Sequence, residues 1–254
     1  MKNWMIIRDS VLLHRARESG KFLTELLGIL REKTQPGVNL LELEDEARNF
    51  LKKNKIVGAF KGYQGFPANL CLSIDDCVVH GIPEDRELRP GECLKVDCGV
   101  IFEKIVTDSA FSKVVGGEEK NPQAAELIRA TKDALDEGLT EVRHGHSLAN
   151  FGSVVEESVA RAGFSVLRNL SGHGVGGAVH EKPHVFNHLE RSVMGQVFLK
   201  GQMLALEPIT AITSREAVAR PGNDWNLYTA QRIRVRSGST RCWSARASQK
   251  FWRA

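Results

Sequence analysis

Two histidines seven residues apart, His173 and His180, lie in the run Ser-Gly-His-Gly-Val-Gly-Gly-Ala-Val-His-Glu-Lys-Pro from Ser171 to Pro183. Glycines flank the first, so the backbone can close in on whatever that imidazole touches. Asp97 and Asp108 stand in apolar runs upstream, and Glu207 stands in Leu-Ala-Leu-Glu-Pro downstream. A carboxylate in a core-like stretch is costly unless it meets a cation or strong donors. Imidazole and carboxylates from separate segments therefore point to a divalent-metal site assembled by the fold rather than by one local motif.

The same run satisfies G-x-G-x-x-G through Gly172, Gly174 and Gly177, with Glu190 roughly where a ribose-binding acid falls. That fingerprint needs a helix starting within it. The next residues, Ala-Val-His-Glu-Lys-Pro-His-Val, are no helix start, and the Gly-Lys-Ser/Thr of a P-loop is missing. A nucleotide site is set aside.

Helical spacing of apolar residues predicts amphipathic helices over about 8–33 and 39–53, the first stopped by Pro36-Gly37. Residues 69–73 and 76–80 read as a hairpin that leaves His80 at a strand end. Residues 93–100 and 101–112 read as a second antiparallel pair carrying Asp97 and Asp108. Helices are predicted over 122–141 and 147–162, and strands over 164–169, 197–199 and 203–207. This mixture indicates an α+β (α/β) fold.

With 254 residues, 42% hydrophobic and 26% charged, the chain is ordinary for a soluble globular protein. No apolar run is long enough for a transmembrane helix, and the first residues are too short a run for a signal peptide. Five cysteines without C-x-x-C spacing suggest neither a disulfide framework nor a zinc ribbon, so a reducing cytoplasm is expected. The net charge of +4 is local: residues 232–254 hold seven Lys/Arg and no acid, leaving 28 basic against 31 acidic residues elsewhere, a net −3. Neither nucleic-acid nor membrane binding is implied.

Val79-His80-Gly-Ile-Pro, Asp97 with Asp108 eleven residues on, Gly172-His173-Gly-Val-Gly, His180-Glu-Lys-Pro and Leu206-Glu207-Pro208 occur in this order. Together they resemble the methionine aminopeptidases, above all the short bacterial-type (type I) form, in register from about residue 8 to 229. The resemblance implies the pita-bread fold: an antiparallel sheet with helices packed on one side, and pseudo-two-fold halves around a dinuclear site. Asp97 is expected on one metal, Asp108 bridging both, and His173 and Glu207 on the second. His80 and His180 are expected to orient substrate and stabilise developing charge, with Glu207 also shuttling a proton. Cys71, Tyr63 and Phe66 fall near the methionine pocket. Two divalent ions, Co, Mn, Fe or Zn, can share a water and lower its pKa to roughly 7.

The implied activity is removal of the initiator methionine from nascent proteins with a small second residue, by a cytoplasmic monomer acting near the ribosome. Two rival readings are a pita-bread binding module that has shed its metal, and a proline-specific or creatinase-like enzyme. The latter usually carry an extra N-terminal domain for which this chain has no room. His144, His146, His184 and His188 have no motif support and read as surface or loop residues. Cys77, Cys93 and Cys98 read as small buried hydrophobes.

Residues 1–229 are taken as the catalytic domain and 230–254 as an aberrant basic tail in place of the final strand. The family's fifth ligand is a bridging Glu in Ala-Gln-Trp/Phe-Glu-His-Thr. Here the last Glu is Glu216 and the last acid Asp224. Reread from the third base of the Val235 codon, permitted codons give Ala-Gln-Trp-Glu-His-Thr-Met-Leu-Val, the Glu spanning Gly238 and Ser239. The expectation is a shifted frame shortly after Thr229, poor activity as written, and a weakened C-terminal edge.

Overall fold

A computed structural model describes residues 4–230 and the strand backbone of Ser244–Arg246 and Gln249–Phe251. Helix α1 (Ser10–Lys33) starts where the Asp9 carboxylate accepts the Leu12 N–H, and its last turn carries Arg31 and Lys33. Both placements favour the helix dipole. Helix α2 (Leu40–Asn54) opens on a capping box between Asn39 and Glu42 and closes at left-handed Lys55. Leu23, Leu26 and Leu30 of α1, with Leu40, Leu43, Ala47 and Phe50 of α2, form the inward stripes.

Strands β1 (Val57–Gly58), β2 (Leu70–Ile74), β3 (Cys77–Val79), β4 (Cys93–Phe102) and β5 (Ile105–Val114) come next. β4 is central: β5 pairs with it over its whole length, while β2 and β1 share its other edge, all antiparallel. The β4–β5 reversal falls at Glu103-Lys104, both with positive φ, as a tight hairpin turn needs. That is a few residues later than the predicted break at 100–101.

Helices α3 (Pro122–Gly138) and α4 (Leu148–Arg161) lead into β6 (Ser165–Val166), β7 (Ser171–Gly174), β8 (Glu181–Phe186), β9 (Leu204–Leu206) and β10 (Ile209–Ala211). β7 lies between β8 and β9, and β10 pairs with β6. Strands β11 (Ala217–Arg220) and β12 (Asn223–Thr229) form a hairpin. One core joins α1 and α2 to β2 and β4; a second joins α3 and α4 to β8 and β9. Two helix pairs each backing their own strands are the two halves of the expected pita-bread layout. Among the described residues no helix is long and apolar enough to cross a membrane.

Three expectations are corrected. β2 and β3 are not ladder partners: β3 pairs with β12, through Val79↔Leu227 and Cys77↔Tyr228. Alternation marks a strand but does not name its neighbour. Residues 197–199 form no strand; Val197 makes a single bridge to Ser147. The tail does supply strand backbone: β13 (Ser244–Arg246) pairs with β10 and β14 (Gln249–Phe251) with β9. Backbone donors and acceptors along β9 and β10 can be satisfied whatever side chains the partner carries. The shifted-frame position at Gly238 and Ser239 lies outside the described residues.

Candidate metal centre

The β4–β5 register sets Asp97 opposite Ala110 and Asp108 opposite Gly99. Paired residues share a face and side chains alternate along a strand, so both carboxylates leave the same face as diagonal neighbours. Cys71 of β2 lies directly opposite Asp97 and joins that face. A Cβ at Gly99 would stand 2.8 Å from the Phe60 ring, so the glycine lets Phe60 settle over the sheet beside the acids.

β7 brings His173 to the same place. A Cβ on Gly172 would come within 2.3 Å of the Ala205 carbonyl, and one on Gly174 within 2.3 Å of the Lys182 carbonyl. These glycines allow β9 and β8 to close on either side of the histidine. Glu207 follows β9 directly, and its carbonyl accepts a 2.9 Å hydrogen bond from the buried Asn187 amide.

His173 Nε2 is 3.1 Å from Glu207 Oε1 and 3.7 Å from Asp108 Oδ2. One ligand atom from each of these three buried residues lies within 4.8 Å of the others. Asp97 is also buried and lines the same cavity, but stands outside that tight trio. His173 Nδ1–H donates to the Gly174 carbonyl at 2.9 Å, turning Nε2 toward the carboxylates. Asp108 Oδ1 is buried and makes no hydrogen bond. A buried carboxylate oxygen with no hydrogen bond, close to an imidazole nitrogen, fits a divalent cation. Asp108, His173 and Glu207 would hold one ion, with Asp97 extending the site beside Asp108.

Burial pulls the His173 pKa down, but the hydrogen bond and charge of Glu207 and the charge of Asp108 outweigh it, raising it to about 9. A ligating imidazole must give up that proton. Metal affinity is therefore expected to rise about tenfold per pH unit from pH 6.5 to 8.5, flattening near 9. Titration with Mn²⁺ across that range checks this; a pH-independent Kd would contradict it.

His180 lies over His173, ring centroids 4.3 Å apart, and its Nδ1 is 3.1 Å from the Tyr63 hydroxyl. His80, just after β3, has φ +59, a costly conformation for a non-glycine residue. The turn after it over-determines that conformation. Leu72 N–H donates to the Gly81 carbonyl, Gly81 N–H to Ser73 Oγ, and Ile82 N–H to Asn226 Oδ1. Beside the acids stands an apolar wall of Phe60, Phe66, Cys71 and Trp225, with Phe66 edge-on to Trp225 at 5.1 Å. All sequence-predicted site residues line this one cavity: Tyr63, Phe66, Cys71, His80, Asp97, Asp108, His173, His180 and Glu207.

Sequence reasoning misses Phe60 and Trp225. Phe60 lies just before Tyr63 and Phe66 in a glycine-rich aromatic run, a local signal that could have found it, whereas Trp225 reaches the wall only through the fold. His184 is not a plain loop residue: it pairs with His173 in the β7–β8 register and lines the cavity rim, near Ser171 Oγ. His188 is buried, its Nε2 3.6 Å from Glu190, because the chain after β8 passes under α4 at Gly152, where a Cβ would meet the His188 carbonyl. His144 and His146 stay in the loop before α4. Cys77, Cys93 and Cys98 are buried, and burial pushes the Cys93 thiol up to about 11.

The family model described as "Metallopeptidase family M24" matches residues 14–237. The chain belongs to metallopeptidase family M24. This M24 chain is 35% identical over 225 residues to the methionine aminopeptidase of Mycoplasma capricolum, covering 88% of each. It is equally similar to that of Clostridium acetobutylicum, 35% over 226 residues and 89% of each. Its fold matches the crystal structure of methionine aminopeptidase from Thermotoga maritima with a TM-score of 0.84, at 27% identity, covering 97% of this chain and 98% of that one. A metal-dependent peptidase chemistry thus suits the buried trio.

Proposed function

We propose that this M24 chain is a methionine aminopeptidase, removing the N-terminal methionine from polypeptides with a small second residue. The observation that carries this is the contact between two unlike surfaces in one cavity. The buried Asp108–His173–Glu207 trio opens directly beside the wall of Phe66, Cys71 and Trp225. An unbranched thioether packs well against aromatic rings and sulfur. The acidic pole suits the free amine and the first carbonyl.

Asp97, Asp108, His173 and Glu207 would hold the divalent metal, which when bound would supply Lewis acidity for the scissile carbonyl and a lowered water pKa. The chain's own groups do the rest. Glu207 takes the proton as the water oxygen adds to the carbonyl carbon. It then gives that proton to the departing amine nitrogen as the C–N bond breaks. His180, steadied by Tyr63, and His80 donate hydrogen bonds to the carbonyl oxygen and hold the peptide as charge develops. The same reading has the protein acting as a cytoplasmic monomer on nascent chains near the ribosome, in keeping with the buried Cys71, Cys77, Cys93 and Cys98, which form no disulfide among the described residues.

A peptide panel with Mn²⁺ or Co²⁺ tests it. Met-Ala-Ser is expected to be cleaved at least about a hundredfold faster than Ala-Pro peptides or Leu-Ala-Ser. Preference for a proline bond would favour the proline-specific reading. No hydrolysis together with no metal uptake would favour the binding module.

A further inference from the structure

Glu181 opens β8 immediately after His180, and its carboxylate gathers three backbone donors. Oε1 accepts from Gly177 N–H at 2.7 Å and Ala178 N–H at 2.9 Å. Oε2 accepts from Met5 N–H at 2.5 Å, across 176 residues of chain. Hydrogen bonds to an ionised acceptor are the strong ones.

The segment that Glu181 reaches is itself anchored. Ile7 N–H donates to the Gly201 carbonyl at 2.8 Å, and Ile6 bridges to Gln202. The loop between His173 and His180 is also tied at its near end: Val106 N–H donates to the Gly176 carbonyl, and Val175 N–H to that of Met203. Gly176 has φ +136, and a Cβ there would lie 2.7 Å from Met5 Cβ, so segment and loop are in close contact. Val179 is buried just before His180, whose ring meets Tyr63. The loop's far end, the end that carries His180, is closed by Glu181.

We propose that Glu181 is a positioning residue: its carboxylate locks the His173–His180 loop against residues 5–7 and so fixes the direction from which His180 faces substrate. The proposal rests on the reading of His180 as a substrate-facing group. Glu181 touches no reacting atom and acts through its neighbour.

The test uses the full chain, with Mn²⁺ for turnover and diamagnetic Zn²⁺ for the resonance and exchange measurements, and compares Glu181→Ala, Glu181→Gln, His180→Ala and the double variant Glu181→Ala/His180→Ala. The His180 ring resonance is followed in histidine-labelled protein and assigned by its loss in His180→Ala. Amide exchange is followed over residues 4–7 and 174–181. In Glu181→Ala the His180 resonance is expected to move, and Gly177 and Ala178 to exchange at least about tenfold faster, with Tm within a few degrees of the parent. On Met-Ala-Ser, kcat is expected to fall about tenfold with KM nearly unchanged, and the loss to vanish in the His180→Ala background. Glu181→Gln, which keeps one acceptor oxygen, is expected to restore the loop protection in part. An unmoved His180 resonance, losses that add fully in the double variant, or a general collapse of Tm in both Glu181 variants overturns the proposal. The resonance and exchange measurements need no turnover, so a chain that cleaves nothing would sink the aminopeptidase reading while still deciding the role of Glu181.

Discussion

Asp108→Asn is expected to leave the metal-free protein no less stable than the parent while abolishing its stabilisation by divalent metal. In the metal-free state Asp108 is a buried carboxylate whose Oδ1 makes no hydrogen bond. Its Oδ2 is 3.7 Å from His173, which already has Glu207 at 3.1 Å. Neutralising it removes a desolvation cost and a repulsion with the neighbouring acids, at the loss of one longer attraction. With metal the balance reverses, because the side chain that faces both halves of the site becomes a poor ligand. Metal at a hundredfold excess over Kd adds about 2.7 kcal/mol. For a chain of this size that is roughly 5–10 °C in Tm. The parent is expected to show that rise and Asp108→Asn less than about 1 °C, with activity down on the order of a thousandfold. Melting curves with chelator and with Mn²⁺ decide it. A variant that melts well below the parent without metal, or keeps its metal shift, would refute the assignment.

Restoring the alternative reading frame is expected to change the metal stoichiometry from one ion to two and to raise turnover by on the order of a hundredfold or more. After Glu207 the only acidic side chains are Glu216 and Asp224, and neither lines the cavity. The trio gathers three ligands around one point, whereas the carboxylates that the described residues offer on the Asp97 side are Asp97 and Asp108. The test protein replaces residues 235–253 with Ala-Gln-Trp-Glu-His-Thr-Met-Leu-Val-Ser-Lys-Gly-Ile-Ala-Glu-Val-Leu-Ala. Equilibrium dialysis with elemental analysis counts the ions, and Met-Ala-Ser hydrolysis gives the rate. Equal stoichiometry and equal rates in the two proteins would show that the shared carboxylate is dispensable. Sequencing the gene across codons 225–254 addresses the same point independently.

What could be read before folding was whatever depends on local period or on a hairpin. The α1 and α2 stripes arise from spacing, and the Asp97/Asp108 pair from two apolar runs joined by a short turn. What could not be read was what depends on distant neighbours. β3 is a strand by pattern, yet its partner β12 lies about 150 residues on. Trp225 and Phe60 come from opposite ends of the chain to make one wall. His188 has the composition of a loop residue and is buried only because α4 has a glycine where it passes. The tail lacks apolar periodicity, but β9 and β10 offer backbone groups that pair with it regardless.

The ten-residue β4–β5 ladder, closed by a two-residue turn, has a bearing on the order of assembly. Asp97 and Asp108 meet by closing a loop of about ten residues, whereas His173 must arrive from 65 residues beyond Asp108 and Glu207 from 99. Short loops close in tens of nanoseconds, and long ones carry a larger entropy cost before any contact repays it. During folding, the two like charges are therefore brought together well before the imidazole that offsets them. Until the imidazole arrives, a divalent cation is the group that would offset their repulsion, so free metal is expected to favour this hairpin during folding.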